Sequence, residues 1–279
     1  MNKGYVAIMD SGIGGLSVLA ELKKRLPNES FIYFGDNENA PYGCRSEIDL
    51  LGLTMENLRV LKKYPLKCVV LGCNTLSTTI MREVSYYNPE IKFFGTYPPV
   101  EINQIRNRKV LLICTSNTAK KYKVSDNVCV LPTKNLAYDI ERNIYNLNKV
   151  DFSKHVTDAF NDFYGKNLSN DFLTTKDAQM TTKNLKMIFD HQLRYFEVVI
   201  LGCTHYFFIK NKIFDHFRPH IILGGESFTA NKVKQYLQND KKLEKYCKNQ
   251  TIFIGKSAKL NKRVFETNFP MFSNYWKIF

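Results

Sequence analysis

Two short phrases of the sequence place a thiol in the same surroundings. Val69–Thr75 reads VVLGCNT and Val199–His205 reads VILGCTH, so Cys73 and Cys203 each follow an apolar run and a Leu-Gly pair. A thiol has an ordinary pKa of about 8.5, and its thiolate is a strong nucleophile and a usable base near neutral pH. Two thiols on opposite faces of one carbon can remove a proton from one side and deliver a proton from the other. Such a pair inverts a stereocentre without a cofactor.

Other polar residues follow predicted strands, where they can assist a thiol or bind a substrate. Asp10 ends the first predicted strand and His205 lies two residues after Cys203, so either side chain can tune a thiol or carry its proton. The turn NAPYGCRS contains Tyr42 and Gly43, whose hydroxyl and backbone N–H can bind an anion. A structural role in the core is the alternative for His205.

A glycine-rich loop, DSGIGGLS at residues 10–17, follows the first strand and opens a helix. It partly matches a dinucleotide-binding fingerprint, and Asp36 ends the next strand, where a ribose-binding acid would lie. Ser17 replaces the third glycine of G-x-G-x-x-G, which disfavours a nicotinamide enzyme. The N–H groups of the loop suit a carboxylate instead, and Ser11 is either a donor to it or a helix cap, as is Thr75.

Alternating strand and helix patterns position these residues. Strands are predicted in YVAIMD, SFIYFGD, KCVVLGCN, KFFGT, KVLLICTS, VCVLPT, FEVVILGC, HIILGGES and QTIFIG. Helices are predicted in GLSVLAELKKRL, SEIDLLGLTMENLRVLKKY with Ser46 as its cap, LSTTIMREVSYY, TAKKYKV, NLAYDIERNIY, TANKVKQYL and a last segment from about Lys259. This alternation predicts an α/β fold with largely parallel sheets flanked by helices, and Pro98-Pro99 indicates a domain crossing.

The two Leu-Gly-Cys phrases lie at equivalent places in this pattern. Each ends a buried strand at its carboxyl end, and open α/β sheets bind their ligands at that edge. Their repetition predicts two similar lobes that each contribute one cysteine to a shared site.

The composition is that of a globular protein. The chain has 279 residues, 44% of them hydrophobic, and no apolar run of the roughly 18 residues that a membrane span needs. No signal peptide is recognised, so we expect a cytoplasmic protein. Seven cysteines without a C-x-x-C pair argue against a disulfide framework and a thiolate zinc site. We interpret five of them as structural: Cys44, Cys68, Cys114, Cys129 and Cys247.

The net charge is +14, from 40 Lys and Arg residues against 26 Asp and Glu. Such a charge favours unspecific binding to nucleic acid. The basic residues are dispersed, however, and the clusters KKLEKYCK and KSAKLNKR carry no recognisable binding module. We therefore expect a solvated basic surface, with no specific nucleic-acid partner, no membrane partner, no metal and no cofactor.

Four separated motifs, in order, resemble the glutamate racemases of the cofactor-independent aspartate/glutamate racemase superfamily: IMDSGIGGLSVLAELKKRLPNESFIYFGD, PYG, GCNT and LGCTHY. The resemblance touches nearly the whole chain and is weakest in the middle. It implies two pseudo-twofold-related α/β domains, 1–97 plus 207–279 and 98–206, with the active site in the interdomain cleft. It also implies an isomerase that interconverts L- and D-glutamate, supplies D-glutamate for peptidoglycan and forms a homodimer.

The resemblance also assigns roles to individual residues. Cys73 would take the proton from D-glutamate and Cys203 from L-glutamate, and Asp10, His205 and Glu141 would assist them. Glu141 enters only through a gapped match of LPTKNLAYDIE. The positions that match substrate-binding residues are Asp10, Ser11, Tyr42, Gly43, Asn74, Thr75, Thr118, Thr204 and His205.

The sequence departs from the family pattern in the second domain. Phe207 stands where Pro is usual, Cys114 where a Gly-Thr-x-x-Thr segment begins, and Lys121 where a Ser is expected. The span between the two cysteines is also long, which predicts an insertion within 146–192. These changes spare both thiols and concern the second domain's share of the site.

Two alternatives stay open. One is a racemase of another substrate, such as aspartate or a hydantoin, although Thr204-His205 and the DSGIGG loop favour glutamate. The other is a non-catalytic regulatory or binding protein on the same fold, favoured by the charge of +14 and disfavoured by the intact pair of thiols.

Overall fold

A computed structural model gives the structure of the chain and describes residues 4–125, 127–162, 196–244, 249–272 and 276–278. The chain divides into two compact units. Unit 1 comprises Met1–Tyr97 and Gly225–Phe279, and unit 2 comprises Pro98–Gly224. The prediction of an α/β fold is confirmed, because each unit contains a sheet of parallel strands with helices in the connections.

The elements follow the predicted alternation closely. The strands are β1 (Tyr5–Asp10), β2 (Phe31–Gly35), β3 (Leu66–Leu71), β4 (Phe93–Gly95), β5 (Val110–Cys114), β6 (Val128–Pro132), β7 (Val198–Gly202), β8 (Ile221–Gly224), β9 (Thr251–Ile254) and β10 (Trp276–Ile278). The helices are α1 (Leu16–Arg25), α2 (Glu47–Leu61), α3 (Asn74–Thr79), α4 (Met81–Tyr87), α5 (Ser116–Ala119), α6 (Leu136–Arg142), α7 (Phe152–Phe160), α8 (Lys210–Phe217), α9 (Glu226–Asn239) and α10 (Ala258–Asn268). The helix α8 and the strand β10 have no counterpart among the predicted elements, and α7 falls within residues 146–192, a polar, Asn-rich segment that the sequence predicts to be helical with loops.

The sheet of unit 1 has the strand order β10-β9-β2-β1-β3-β4, and every pair in it is parallel. Its inner strands are buried along almost their whole length, which explains why they read as continuous apolar runs rather than as alternating ones. Because all strands point the same way, Asp10 and the segment after Leu71 reach the same edge of the sheet.

The sheet of unit 2 has the order β6-β5-β7-β8, again all parallel. This order repeats the arrangement β2-β1-β3-β4 of unit 1 in both sequence and direction, so the two Leu-Gly-Cys phrases end equivalent strands. Unit 2 extends to Gly224, whereas the sequence-based boundary assigned 207–224 to the first domain. The reason is that β8 pairs with β7, which keeps residues 221–224 in the sheet of unit 2.

The ends of the helices show where sequence patterns succeed and fail. Ser46 caps α2 as predicted, because its Oγ accepts a hydrogen bond from the Asp49 N–H at 3.1 Å. The helix predicted in TAKKYKV is wrong, since α5 begins and ends earlier and the chain then turns so that Tyr122 and Val124 pack on the core of unit 2. The helix predicted in LSTTIMREVSYY is interrupted at Ile80, which separates α3 from α4.

The predicted insertion within 146–192 falls largely outside the described residues. Its described part contains a 3₁₀ turn, Leu147–Lys149, and the helix α7. None of the helices in the described ranges is long and apolar enough to cross a membrane.

A close approach of the backbone explains the glycine before Cys203. Gly202 pairs with Cys114 across β7 and β5. A Cβ atom on Gly202 would lie 2.6 Å from the Cβ of Cys114 and 3.0 Å from the carbonyl oxygen of Ile113. Neither atom can move without distorting β5, so the sheet admits only glycine here.

We therefore expect Gly202→Ala to lower the free energy of unfolding by about 1–3 kcal/mol, the range for overpacking a rigid core. Gly52→Ala is a matched control, because Gly52 lies within α2 and a Cβ there would meet nothing within 4 Å. It should stabilise the protein by up to about 1 kcal/mol through helix propensity. Urea unfolding followed by circular dichroism measures both, and equal midpoints for Gly202→Ala and the wild type would refute the close approach.

Candidate active site

Asp10 lies at the carboxyl end of β1, where residues of the loop that follows it donate hydrogen bonds to its carboxylate. The side chain is fully buried. Its Oδ1 accepts hydrogen bonds from the Gly12 N–H at 2.9 Å and from the Ser11 hydroxyl at 3.5 Å. A Cβ on Gly15 would lie 2.8 Å from the Cβ of Asp10, and one on Gly72 would lie 3.3 Å from its Oδ2. The glycines of the DSGIGG loop therefore make room for a buried carboxylate, which explains the partial match to a dinucleotide fingerprint.

Cys73 lies two residues beyond β3, directly before α3. Its residue is only 6% exposed, and its carbonyl oxygen accepts bonds from the N–H and the Oγ of Ser77 at 3.0 and 2.9 Å. Asn74 and Thr75 follow and are buried. The Nδ2 of Asn74 donates to the carbonyl oxygen of Thr96 at 3.0 Å, while its Oδ1 is buried without a hydrogen-bond partner. An unsatisfied buried acceptor is costly, so this oxygen is a candidate contact for a donor on a substrate.

The Tyr42 hydroxyl donates its hydrogen bond to the Oδ2 of Asp36. The Nδ2 of Asn57 lies 3.3 Å from both that oxygen and the Tyr42 hydroxyl. Burial first, and then the hydrogen bond and charge of Asp36 and the charge of Cys73, raise the pKa of Tyr42 above its ordinary value. The Tyr42 hydroxyl thus remains neutral, and its proton is used in the hydrogen bond to Asp36. The expectation that it holds an anion is not matched by this geometry, while Gly43 is buried beside it.

In unit 2, Cys203 follows β7 and is also 6% exposed. The Nδ1 of His205 lies 3.7 Å from the Cys203 Sγ, and its Nε2 lies 2.6 Å from the Oε2 of Glu141. Glu141 comes from α6, and its side chain is 11% exposed. The structure thus brings the Glu141 carboxylate, which is distant in the sequence, to a thiol and an imidazole that lie two residues apart.

The protonation of His205 is governed by these two neighbours. Burial by itself is the largest single influence and disfavours the imidazolium, but the hydrogen bonds and negative charges of Cys203 and Glu141 together outweigh it. The net result is that the pKa of His205 lies well above its ordinary value. An imidazolium in this position can donate N–H bonds to the sulfur and to the carboxylate at once.

The threonines predicted for unit 2 lie at the same edge of its sheet. Thr204 is buried at the start of the 3₁₀ helix Thr204–Ile209. Thr115 caps α5 by accepting from the Thr118 N–H, and its hydroxyl donates to that of Thr118 at 3.1 Å. Thr118 is fully buried. These hydroxyls follow β5 and β7, the two strands that also lead to Cys114 and Cys203.

Sequence reasoning missed two polar clusters in these sheets. The sequence pattern indicates Asp36 only as a candidate ribose-binding acid, whereas the structure places its carboxylate beside Tyr42 and Asn57. In unit 2 the hydroxyls of Thr133 and Tyr206 are hydrogen-bonded to each other. A signal existed for Thr133, because it follows β6 as Asp36 follows β2 in the repeated strand order. The position of Asn57 within an amphipathic helix carried no such signal.

The remaining cysteines are those interpreted as structural. Burial raises the pKa of the Cys68 thiol to about 12 and that of Cys129 to about 11. Burial also raises the pKa of Cys114. These three thiols stay protonated at neutral pH, as their structural interpretation expects. Cys44 is exposed, and Cys247 lies outside the described residues. Within the described ranges, no group of three or more His, Cys, Asp or Glu side chains could hold a metal ion.

The chain is similar in sequence to proteins of known name. No protein-family model matches the chain. The glutamate racemase of Clostridium novyi is 29% identical over 278 residues, which covers 95% of each chain. The glutamate racemase of Clostridium acetobutylicum is 28% identical over 252 residues, 86% of this chain and 84% of that one. The proteins that this chain resembles are glutamate racemases. The resemblance inferred from the sequence motifs is therefore confirmed.

A solved structure gives the same result for the fold. The crystal structure of glutamate racemase isoform RacE1 from Bacillus anthracis superposes with a TM-score of 0.72 at 22% identity, covering 100% of this chain and 97% of that one. The departures from glutamate racemase motifs lie in unit 2, where Cys114 faces Gly202 across the sheet and Phe207 lies under the ammonium of Lys210 at 5.0 Å.

The raised pKa of His205 leads to a testable pH dependence. The pKa of His205 in the folded protein exceeds its unfolded value of about 6.5. The His205–Glu141 pair therefore contributes fully to the free energy of unfolding below about pH 6.5, and this contribution is lost as the pH rises through the folded pKa. Glu141→Gln removes one of the two charges that hold the proton, and the His205 pKa should fall. Titration of the ring proton signals by NMR measures it.

His216 is the internal control for that titration, because burial lowers its pKa and Glu141 is not among the causes. Its midpoint should be the same in Glu141→Gln and in the wild type. An unchanged His205 midpoint in the variant would show that Glu141 does not set the charge of the imidazole.

Proposed function

We propose that this protein is an amino-acid racemase that interconverts L- and D-glutamate by proton transfer between two cysteines. One observation carries the proposal. Cys73 and Cys203 follow β3 and β7, which are equivalent strands of the repeated sheet order, and each is nearly buried. A titratable side chain belongs to each half: Asp10 in unit 1 and His205 in unit 2. The substrate is inferred from the relatives, which are named glutamate racemases.

The reaction breaks and remakes a single bond. One cysteine, as thiolate, takes the proton from Cα, and the electron pair of the C–H bond is left on the α-carbon, delocalised into the α-carboxylate. The other cysteine, as thiol, returns a proton to the opposite face, and the two cysteines have then exchanged protonation states. By resemblance, Cys73 acts on D-glutamate and Cys203 on L-glutamate. The proposal requires that both sulfur atoms reach the same carbon.

The two cysteines have different supports. In unit 1 the buried carboxylate of Asp10 lies against Gly72, the residue before Cys73. In unit 2 the charged His205, held by Glu141, lies 3.7 Å from the Cys203 sulfur. We assign to Asp10 the exchange of a proton at the Cys73 sulfur, and to His205 the stabilisation of the Cys203 thiolate.

Glutamate carries two carboxylates and one ammonium, and the buried polar groups can match them. The hydroxyls of Ser11, Thr75, Thr118 and Thr204 and the N–H of Gly43 are the proposed donors to the carboxylates. The unpartnered Oδ1 of Asn74, together with Asp10, is the proposed acceptor for the ammonium. These neutral donors and the two acceptors match the polar groups of an amino acid with an acidic side chain.

The resemblance to glutamate racemases also supports a proposal about the setting of the enzyme. We propose that it supplies D-glutamate for peptidoglycan, that it acts in the cytoplasm and that it works as a homodimer. Analytical ultracentrifugation would identify a dimer by its mass, twice the 32.5 kDa of the chain.

The two-cysteine mechanism makes a prediction that separates the cysteines. Replacing either one with Ser should reduce racemisation in both directions by at least about 10²-fold, because each direction needs one base and one acid and a hydroxyl is a poor base. A substrate with a leaving group on Cβ needs deprotonation alone and then eliminates. Cys73→Ser should process only its L form, and Cys203→Ser only its D form.

Cys129→Ser is the matched control, since that thiol is buried in unit 2 away from the carboxyl edge of β6. It should keep both activities. Racemisation is followed by polarimetry, and wild type in D2O should place deuterium at Cα of the inverted product. Elimination from the same enantiomer by both variants would contradict the assignment of one cysteine to each enantiomer.

The mechanism also predicts that no cofactor is needed, because every proton transfer is assigned to residues of the chain. Exhaustive dialysis against a chelator should leave kcat within error of the untreated enzyme, and the protein should show no absorbance above that of its aromatic residues. Activity that disappears on dialysis and returns with pyridoxal phosphate or a divalent metal ion would overturn this part of the mechanism.

A further inference from the structure

Asp36 is the centre of a hydrogen-bonded cluster at the carboxyl end of β2. Its Oδ2 accepts from the Tyr42 hydroxyl and from the Asn57 Nδ2 at 3.3 Å. The Nδ2 of Asn39 donates to both carboxylate oxygens, at 3.0 and 3.1 Å. Three side chains from the loop and from α2 thus converge on one carboxylate. A carboxylate with several donors is a rigid anchor, because hydrogen bonds to a charged group are stronger than those between neutral groups.

Asn57 is the member of this cluster that comes from a helix. It lies in the middle of α2, on the face that packs Leu50, Leu58 and Leu61 into the core of unit 1, and it is 9% exposed. An amide on such a face is unfavourable unless its polar atoms are paired. Its Nδ2 reaches Asp36 and the Tyr42 oxygen, each at 3.3 Å. The asparagine at this position is therefore explained by the cluster and not by helix packing.

The cluster around Asp36 shares the core of unit 1 with Cys73. Tyr42 and Cys73 belong to the same core cluster of buried residues in unit 1. The charge of Cys73 is also among the influences that raise the pKa of Tyr42. Gly43, the proposed donor to a substrate carboxylate, is bonded to Tyr42. Whatever holds the phenol of Tyr42 in place therefore also restrains the neighbouring backbone of Gly43.

We propose that Asn57 is a positioning residue of the active site, which holds the Tyr42–Gly43 segment through its hydrogen bonds to Asp36 and to the Tyr42 hydroxyl. The inference rests on the proposed racemase function and adds a residue that does not touch the substrate. Its effect is on ground-state binding, because a loosened segment must be ordered again each time a carboxylate binds.

Two nearly isosteric substitutions test the role. Asn57→Leu keeps the volume and removes the donor, so KM for glutamate should rise about tenfold while kcat changes less than about threefold. A tenfold change is what the loss of one hydrogen bond to a charged group is expected to cause. Asn57→Asp places a second carboxyl against Asp36 and removes the same donor.

The aspartate variant adds a pH readout. Two adjacent carboxyls share a proton, so the pKa of the introduced group is raised, and its protonated form can donate to Asp36 as the amide does. The ratio of its KM to that of the wild type should therefore fall as pH drops from about 8 to about 6. Other titratable and charged groups near this cluster are Tyr42, Cys73, Lys256, which pairs with Glu38 at 2.7 Å, and Arg45, which donates to the carbonyl oxygen of Asn39 at 2.7 and 3.0 Å. All are common to wild type and variant and cancel in the ratio.

Asn88 supplies the control for a purely structural loss. It is fully buried, and its Nδ2 donates to the Val84 carbonyl oxygen at 2.8 Å and lies 3.4 Å from the Met55 sulfur in α2. Asn88→Leu should lower the melting temperature and leave KM and its pH dependence at wild-type values.

Three outcomes overturn the proposal. The first is an unchanged KM in Asn57→Leu, and the second is a KM ratio for Asn57→Asp that does not depend on pH. The third is an equal rise of KM in Asn88→Leu, which would show that any loss of packing near α2 has this effect. Failure of the proposed function is recognised separately, because the wild type itself would then not exchange the Cα proton of glutamate with D2O.

Discussion

The glycine before each candidate catalytic cysteine has almost no room for a side chain, and the site is organised around that constraint. At Gly202 a Cβ would lie 2.6 Å from the Cβ of Cys114, and at Gly72 a Cβ would lie 3.1 Å from the Cα of Gly15. Close contact at the carboxyl ends of two central strands sets where the chain leaves the sheet. The cysteine that follows therefore emerges at a defined position, nearly buried and directly before a helical segment.

The same strand order in both units carries different chemistry. Asp10 ends β1 beside Gly72, whereas Cys114 ends β5 beside Gly202. In unit 2 the position that matches Asp10 holds Cys114, and the titratable group near the Cys203 sulfur is His205, whose pKa is raised by Cys203 and Glu141. The two halves of the proposed reaction thus use one scaffold with two means of controlling a thiol. We propose that a carboxylate supports the first thiol and that the imidazole held by Glu141 supports the second.

Burial restricts which hydrogen-bond partners the polar side chains of the candidate site can have. Asp10, His205 and Thr118 are almost fully excluded from solvent, so each must find its partners within the protein or in a substrate. The cluster around Asp36 is satisfied internally, which suits a scaffold, while the Oδ1 of Asn74 is buried without a partner, which suits a binding group. A buried polar atom that already has a hydrogen-bond partner in the protein holds the site in place, whereas one without a partner is available to a ligand.

The sequence by itself determined the α/β class, the approximate positions of most strands and the two cysteine phrases, because these depend on local apolar patterns and on short motifs. It could also place Asp10 and His205 beside a cysteine, since each lies near the end of a strand. Only the tertiary structure decided that Glu141 holds His205, that the Tyr42 hydroxyl serves Asp36, and that residues 207–224 stay with unit 2. Each of these depends on contacts between segments that are distant in the chain, and no local pattern encodes which distant partner a polar side chain will meet.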